Sequence, residues 1–378
     1  MWRLTCLAIF AAFLAACGSS SGSTTLTPPM PPPPSTGVAN LYALAPADMP
    51  VGVAVPAGPA ANSMLDSNVR RDVVDAHFSQ VTAENIMKPS FLRPAPGVFF
   101  FDDADALVDY AVGAGKTMHG HTLLWHNQLP GWMTGFAGDE TAWTTMMIEH
   151  IDGVVRHFAA GNVVVSWDVV NEAFADNDAD GDGLYDLRRT IWHDFVGTDY
   201  LELAYLAARA ADADADLYYN DYNIAGVPQK LDAVLDMVQR FRATGVPIDG
   251  IGFQMHVSLG WPEIAHAQTA FERAAATGLM VKITELDVTV NTDSNGNSLG
   301  ATAFTDTLAQ QQEERVREIV AAYLQAVPAV QRGGITVWGI ADIDSWRRSR
   351  NEHEWPLLFD DNFDAKPALQ GFADGLSN

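Results

Sequence analysis

Two glutamates, Glu172 and Glu285, each stand at the end of an apolar run, and together they could act on a glycosidic bond. Cleaving the acetal link between two sugars needs a carboxylic acid to protonate the leaving oxygen. It also needs a carboxylate to meet the cationic anomeric carbon. Like charges held close together move each other's pKa values apart, so one carboxyl group of such a pair stays protonated near neutral pH. Asn171, beside Glu172, could hydrogen-bond the 2-hydroxyl group of the sugar, a contact that strengthens in the transition state.

Polar and aromatic side chains recur at the ends of seven such runs. Besides the two glutamates, the candidate site residues are Glu84, Asn85, Lys88, His121, Trp125, Asn171, Gln254, His256, Asp287, Trp338 and Trp346. Each of them, taken alone, has a structural explanation: Asp287 could cap a helix, and His256 could be a hydrogen-bonded core imidazole. Buried polar groups cost free energy unless they are paired, so their recurrence indicates one shared site. The tryptophans offer flat apolar faces that suit the C–H faces of pyranose rings.

The elements that must position these side chains alternate between short apolar runs and longer stretches of helical periodicity. The predicted strands are 52–55, 78–83, 117–124, 163–170, 215–219, 250–254, 280–286 and 335–340, and the predicted helices are 63–76, 103–114, 140–159, 198–211, 228–243, 262–277, 307–327 and 366–373. Eight βα units with strands buried on both faces predict an α/β fold, a (β/α)8 TIM barrel forming one domain over 39–378. In such barrels the active site lies at the carboxyl ends of the strands. A doubly wound open sheet is the alternative, but no Gly-x-Gly-x-x-Gly follows the first strand.

The segment before this domain has the composition of an export signal and a tether. Residues 1–16 hold one basic residue and then an apolar run that is too short to span a bilayer, which is typical of a signal peptide. The run ends Leu14-Ala15-Ala16-Cys17-Gly18, which resembles the bacterial lipoprotein cleavage box and predicts a lipid on Cys17. Ordinary secretory cleavage nearby is the alternative. Residues 17–38, rich in Ser, Thr and Pro, are predicted to be a flexible tether, so we expect an exported protein, lipid-anchored at a bacterial membrane or cell surface and otherwise secreted.

The composition excludes one class of partner. The 378 residues include 47 Asp+Glu and 22 Lys+Arg, and the resulting formal net charge of −25 should repel the phosphate backbone of nucleic acids. A hydrophobic fraction of 48% is too high for a disordered acidic protein. The only cysteines are Cys6, inside the predicted signal peptide, and Cys17, so we expect no disulfide framework and no cysteine-rich metal site. The mature chain is expected to be a monomer.

Eight blocks of sequence carry most of the candidate residues. They are Thr82–Lys88, Gly120–Pro130, Trp167–Ala173, Tyr219–Asn223, Gly250–His256, Ile283–Asp287, Thr336–Ile340, and Pro356–Asp360 followed by Lys366-Pro367. In this order the blocks resemble the endo-β-1,4-xylanases of glycoside hydrolase family 10 over nearly all of the predicted domain. The resemblance implies a TIM barrel that hydrolyses internal β-1,4 bonds of xylan or xylo-oligosaccharides with retention of configuration, and it implies no required cofactor.

The resemblance also implies roles for individual residues. Glu172 would be the general acid/base and Glu285 the nucleophile, while His256 would hydrogen-bond the nucleophile with Asp287 near that network. The sugar-binding residues would be Glu84, Asn85, Lys88, His121 and Trp125 on the non-reducing side of the cut, and Asn171, Gln254 and Trp338 around the sugar at the cut. Two features depart from the family pattern. His119 stands where the family usually has Arg, and the loop 291–299 is long and polar, so it could reshape the product side of the cleft.

An acidic loop follows Glu172 in the chain. Asp178, Asp180, Asp182 and Asp186 have a spacing that could place oxygen ligands around a calcium ion, but the Glu of a true EF-hand is replaced by Arg189. The alternative is a solvated acidic loop without an ion.

Two other functions stay open at this point. A non-catalytic polysaccharide-binding protein on the same scaffold would use the tryptophans, but it would not need the carboxylate pair. A related barrel glycosidase could act on β-glucans or short glycosides instead of xylan.

Overall fold

The predicted alternation of strands and helices closes into a barrel in the computed structural model, which describes residues 37–377. The strands are β1 Val51–Val55, β2 Gln80–Ala83, β3 Thr117–Gly120, β4 Val164–Asn171, β5 Asp216–Asp221, β6 Gly250–Phe253, β7 His256–Ser258, β8 Met280–Thr289 and β9 Arg332–Val337. All pairings are parallel: β1 to β6 pair in chain order, β6 pairs with β8, and β9 closes the ring against β1. The short β7 pairs only with the far end of β8. The TIM-barrel prediction is therefore confirmed, and the open-sheet alternative is wrong.

The sequence of the strands explains why the barrel is filled rather than hollow. Every residue of β1 is buried, as expected for a strand covered on both faces. Glycines make room for large rings inside the barrel, since a Cβ on Gly120 would lie 2.2 Å from the ring of Trp167. A Cβ on Gly250 would lie 2.1 Å from the ring of Tyr218 in the same way. Large side chains from one strand thus occupy the space that a neighbouring strand leaves open.

Helices cover the outside of the barrel. They are α1 Asn68–His77, α2 Pro89–Leu92, α3 Asp102–Gly113, α4 Gly131–Thr134, α5 Glu140–Ala159, α6 Ile191–Val196, α7 Tyr200–Ala211, α8 Pro228–Thr244, α9 Ile264–Ala275, α10 Asp306–Ala326 and α11 Pro367–Leu376. Short 3-10 turns lie at Tyr42–Leu44, Met64–Asp66, Ala329–Gln331, Asp342–Asp344 and Trp346–Ser349. Among the described residues, no helix combines the length and the apolar character that crossing a membrane requires.

The structure differs from the sequence prediction mainly at element ends. The predicted helix 63–76 is divided, because Ser67 has an extended backbone (φ −127°, ψ 110°) between a 3-10 turn and α1. Gly197, with a φ of 107°, separates α7 from α6, which the sequence reading missed. The predicted signal peptide 1–16 and all but the last two residues of the predicted tether lie outside the described residues. All described residues belong to one compact unit.

Candidate active site

A cleft of about 720 Å³ opens at the carboxyl ends of the barrel strands. All of the predicted site residues line it except Asp287. Asp287 instead lies buried beneath the floor, where it contacts His256, Trp346 and Arg347. The barrel topology thus brings together residues that are up to 262 positions apart in the chain, from Glu84 to Trp346.

Glu172 sits where β4 turns into the cleft, in a backbone conformation that non-glycine residues seldom adopt. Its φ of 56° is left-handed and costs on the order of 1 kcal/mol or more. The backbone N–H of Glu172 donates to the carbonyl oxygen of Asn220 (2.9 Å), and Arg188 Nε donates to the Glu172 carbonyl oxygen (3.1 Å). Trp125 Nε1 donates to one carboxyl oxygen (2.9 Å) and Gln254 Nε2 to the other (3.0 Å). Both the backbone and the carboxyl group of Glu172 are therefore held by hydrogen bonds, while the side chain remains partly open to the cleft.

Glu285, inside β8, is more deeply buried than Glu172 and is held by two donors. Asn220 Nδ2 donates to Glu285 Oε1 (2.8 Å), and His256 Nε2 lies 3.1 Å from Oε2. Asn220 is itself fully buried, and its side-chain oxygen accepts from Thr284 Oγ1 (2.6 Å). The sequence analysis assigned Asn220 no role of its own and did not predict this contact. Its place in the Tyr219–Asn223 block is the signal that could have found it.

The imidazole of His256 lies between two carboxylates, those of Glu285 and Asp287. Its Nδ1 lies 2.9 Å from Asp287 Oδ2, opposite the contact with Glu285. Burial alone would lower the pKa of His256, but the carboxylates of Asp287 and Glu285 outweigh it and raise that pKa to about 9. Burial likewise opposes the charge on Asp287, yet Arg347 and His256 hold the pKa of its carboxyl well below the usual range. Below about pH 9, Glu285 therefore faces a positive charge.

Asn171 lies between the two carboxylates, and its neighbours fix which end of its amide faces them. Asn220 Nδ2 (2.9 Å) and Gln254 Nε2 (3.2 Å) both lie next to Asn171 Oδ1. Each of these nitrogens also donates to one of the two cleft glutamates, so each presents hydrogens rather than a lone pair. The oxygen of Asn171 accepts from both, which leaves its nitrogen as the donor for a ligand in the cleft.

Lys88, Asn85 and Trp125 form one wall of the cleft together. Lys88 Nζ lies 4.8 Å from the centre of the Trp125 ring and 3.4 Å from Asn85 Oδ1. Gln128, another residue that the sequence reading did not single out, donates to the same Asn85 oxygen (2.9 Å). Burial lowers the pKa of Lys88, and burial raises the pKa of the neighbouring Glu84 carboxyl. This wall therefore presents hydrogen-bond donors and a tryptophan ring in a fixed arrangement that suits a sugar.

His121 and Trp338 form the floor of the cleft. The two rings pack edge to face with centres 5.2 Å apart, and Trp338 packs on the other side against His256 at 6.3 Å. His121 Nδ1 lies 2.8 Å from Asp168 Oδ2, inside the barrel. His119, the departure from the family pattern, lies one layer lower with its Nε2 3.0 Å from the other oxygen of Asp168. The substitution at 119 is thus absorbed beneath the floor without reaching the cleft.

An ionic cluster lies next to the segment that follows Glu172; it is buried at Lys230 and Asp221 and exposed at Asp176. Lys230 is fully buried, and its Nζ lies 2.9 Å from Asp221 Oδ1 and 3.1 Å from Asp176 Oδ1. The Tyr222 hydroxyl donates to Asp176, and Lys230 Nζ lies 3.6 Å from the centre of the Tyr222 ring. Burial raises the pKa of Asp221 to about 6. The cluster joins β5, α8 and the start of the acidic loop directly behind the site, and the sequence reading did not anticipate it.

A long polar loop follows β8, and the acidic loop follows β4. Residues Thr292–Gly296 of the long polar loop line the cleft, as expected of a segment that shapes one end of it. In the acidic loop, Asp178, Asp180 and Asp182 bring carboxylate oxygens within 4.8 Å of one another. Asp186, predicted as a fourth ligand, is not part of this group; its Oδ2 accepts from the Ala179 backbone N–H (2.6 Å).

Comparison with known proteins agrees with this geometry. The sequence model described as Glycosyl hydrolase family 10 matches residues 40–375. The chain is 43% identical over 360 residues to endo-beta-1,4-xylanase Xyn10C of Cellvibrio japonicus, covering 90% of this chain and 58% of that protein. It is 44% identical over 347 residues to endo-1,4-beta-xylanase A of Cellvibrio japonicus strain Ueda107, covering 88% of this chain and 56% of that protein. The chain thus spans less than three fifths of the length of these two curated relatives.

The same fold occurs in a solved structure of a variant of Cellvibrio japonicus xylanase10C in complex with xylopentaose. The TM-score is 0.86 at 42% identity, and the match covers 90% of this chain and 70% of that one. The family match spans nearly all of the described barrel, including both ends of the cleft. This chain therefore belongs to glycosyl hydrolase family 10.

Proposed function

We propose that the chain is a retaining endo-1,4-β-xylanase, which hydrolyses internal β-1,4 bonds of xylan by double displacement. The observation that carries the proposal is the contrast between its two cleft carboxylates. Glu285 is buried, and its two carboxylate oxygens are held in position by the amide nitrogen of Asn220 and the imidazole of His256. Glu172 is more open to the cleft and reaches toward it from the opposite strand. Names of relatives, and the xylopentaose complex of one of them, support xylan as the substrate.

In the first step, a Glu285 carboxylate oxygen attacks the anomeric carbon, and the bond from that carbon to the leaving oxygen breaks. The carboxyl proton of Glu172 passes to the leaving oxygen, so the shortened chain departs as an alcohol. In the second step, Glu172 takes a proton from water as that water attacks the anomeric carbon. The bond to Glu285 then breaks, and the carboxylate is restored. Two inversions at one carbon give net retention.

The remaining cleft residues hold the polymer during these steps. Glu84, Asn85, Lys88, His121 and Trp125 bind xylose units on the non-reducing side of the cut, and Asn171, Gln254 and Trp338 surround the sugar at the cut. Trp346 forms part of the wall above His256, with ring centres 5.0 Å apart. The free nitrogen of Asn171 donates to the 2-hydroxyl group. No metal or cofactor takes part in this scheme.

The test of the proposal is release of reducing ends from xylan and from carboxymethylcellulose. We expect release from xylan, a rapid fall in viscosity that marks internal cleavage, and a β-configured product in early NMR spectra. Activity on carboxymethylcellulose alone would contradict the xylanase assignment and favour the β-glucan alternative. Binding to xylan with no cleavage of any polymer would favour the polysaccharide-binding alternative.

Replacing His256 with glutamine should produce a pH-dependent loss of stability. The pKa of about 9 in the folded protein lies above the usual value near 6.5. The contribution of the imidazolium to the free energy of unfolding is therefore fully present below about pH 6.5 and is lost as the pH rises through about 9. We expect the difference in melting midpoint between the natural protein and His256→Gln to be largest near pH 6 and to shrink toward pH 10. A difference that does not vary with pH would contradict the assigned charge.

Replacing Asn220 should reduce turnover without removing either glutamate. Loss of the donor to Glu285 leaves a buried carboxylate oxygen without a partner, which should lower kcat about 10- to 100-fold. The matched variant is Asn220→Asp, which keeps the shape but cannot donate when ionised and adds a like charge. We expect Asn220→Asp to be at least as impaired as Asn220→Ala in steady-state kinetics at pH 7. An Asn220→Asp variant with full activity would show that only the shape of this residue matters.

The acidic loop is also proposed to hold a structural calcium ion between Asp178, Asp180 and Asp182. Three carboxylates within reach of one another are the donor type that calcium prefers. Melting should occur at a higher temperature with calcium than with excess chelator, and Asp180→Asn should remove the difference. Identical midpoints with calcium and with chelator would refute the site.

Export and anchoring rest on the first segment of the sequence alone. The chain is proposed to be cleaved before Cys17, to carry a lipid there and to act as a monomer at the surface of a bacterial cell. Cells fed radiolabelled palmitate should label the natural chain but not a Cys17→Ser variant. Label-free protein in the culture medium would favour ordinary secretion, and light scattering of the purified domain tests the monomer.

A further inference from the structure

Three arginines follow Trp346 in the chain, two of them, Arg347 and Arg350, line the cleft, and only Arg350 lacks an acidic partner among the described residues. Arg347 donates to Asp287 Oδ1 through two nitrogens, at 2.9 and 3.1 Å. Arg348 NH1 lies 2.8 Å from a carboxylate oxygen of Asp361. The side chain of Arg350 makes no hydrogen bond or ion pair with any residue between 37 and 377. In a chain with a formal net charge of −25, an unpaired guanidinium at the cleft is unexpected.

Arg350 is nevertheless held in place. It lines the cleft, and its Cζ lies 4.6 Å from the centre of the Trp346 ring. The ring is in turn fixed by the hydrogen bond from Trp346 Nε1 to Asp287 Oδ2 (2.9 Å). A guanidinium stacked on an aromatic face keeps its N–H groups free at the edge, so less side-chain freedom is lost when they bind a ligand.

The acidic groups of the cleft do not use these N–H groups. Asp293 lines the same cleft, but its carboxylate accepts from the backbone N–H groups of Asn295 (2.9 Å) and Asn297 (2.8 Å) within its own loop. Glu172 and Glu285 are occupied by the donors described above. Arg350 therefore keeps its full two-point donor fork for a group that enters the cleft from outside.

We propose that Arg350 binds the carboxylate of an acidic side group on the xylan chain, so that the substrate class is xylan decorated with uronic acids. This inference rests on the proposed xylanase function. A planar guanidinium matches a carboxylate through two parallel hydrogen bonds, whereas a neutral sugar side group offers it only single hydroxyl acceptors. An acidic polymer is repelled by the net charge of the chain, and a cation at the point of contact offsets that repulsion locally.

The test compares one polymer in two charge states. Glucuronoxylan is used before and after chemical reduction of its uronic acids to neutral sugars, which keeps the backbone and the branching. For each protein, the ratio of kcat/KM on the acidic polymer to kcat/KM on the reduced polymer is measured. The variants are Arg350→Gln and Arg350→Lys, and the control is Arg240→Gln, which makes the same charge change on the exposed face of α8.

We expect Arg350→Gln to lower this ratio about five- to tenfold, mainly through KM, and 0.5 M salt to shrink the difference. Arg350→Lys should retain part of the ratio, and Arg240→Gln should leave it unchanged. An unchanged ratio in Arg350→Gln, or an equal loss on both polymers, would overturn the inference, since Arg350 would then only support Trp346. A natural protein that cleaves neither polymer would overturn the proposed function itself, which is a different result.

Discussion

Replacing Glu285 with alanine is expected to lower turnover by about four orders of magnitude or more on every glycoside, whatever its leaving group. The variant lacks the oxygen that forms the bond to the anomeric carbon, so the first displacement has no nucleophile. A better leaving group cannot compensate, because the variant lacks the nucleophile and not the assistance to the leaving group. The measurement is steady-state hydrolysis of both xylan and an aryl xylobioside with an activated phenol.

Azide gives this prediction a second readout. The truncated side chain leaves space beside His256, and a small anion can occupy it and attack the anomeric carbon of an activated substrate. We expect azide to restore part of the turnover and to yield a glycosyl azide of inverted configuration. Glu314→Ala, on the exposed surface of α10, is the matched control and should keep full activity. Hydrolysis by Glu285→Ala at more than about one hundredth of the natural rate would remove Glu285 from the role of nucleophile.

The location of Glu172 and Glu285 in one cleft could be predicted from the sequence, because a parallel barrel brings the ends of its strands together. Once eight buried runs are recognised, the carboxyl ends of their strands must meet at one rim, so residues as distant as Glu84 and Trp346 are brought to one cleft. Composition and periodicity are therefore enough to predict where the cleft lies. The resemblance to a family then adds expected roles to positions, and the structure places Glu285, but not Asp287, in the cleft wall.

The contacts that position the carboxylates of Glu172 and Glu285 could not be predicted in the same way. The hydrogen bond from Asn220 to Glu285 depends on the rotation of two side chains on non-adjacent strands, which periodicity does not encode. The left-handed φ of Glu172 is visible only in the backbone. Arg347 pairs with Asp287 across 60 residues of chain, and in the sequence it is one basic residue among several. Local sequence rules describe elements, whereas these features arise from packing between elements.

Replacing Glu172 with alanine should give the opposite pattern to Glu285→Ala, with a loss that depends on the leaving group. Without the carboxyl proton, an alkoxide must depart from xylan unassisted, so turnover of the polymer should fall about 10³-fold or more. An activated phenol departs without protonation, and the first displacement on an aryl xylobioside should therefore stay close to the natural rate. The second displacement still needs a base to activate water, so the glycosyl-enzyme intermediate should accumulate.

That accumulation is the decisive observation. Rapid mixing of Glu172→Ala with an activated aryl xylobioside should release one equivalent of phenol in a burst, followed by slow turnover, and azide should accelerate the slow phase by attacking the intermediate. Glu172→Gln is the matched variant, because glutamine keeps the size of the side chain and can still accept from one of the two donors, Trp125 or Gln254, while it supplies neither acid nor base. Both variants should show the burst if proton transfer is the function of Glu172. When the leaving group needs no proton, only the acid/base is dispensable for the first displacement. Equal losses of activity in Glu172→Ala and Glu285→Ala on the activated substrate would therefore contradict Glu172 as the acid/base and Glu285 as the nucleophile.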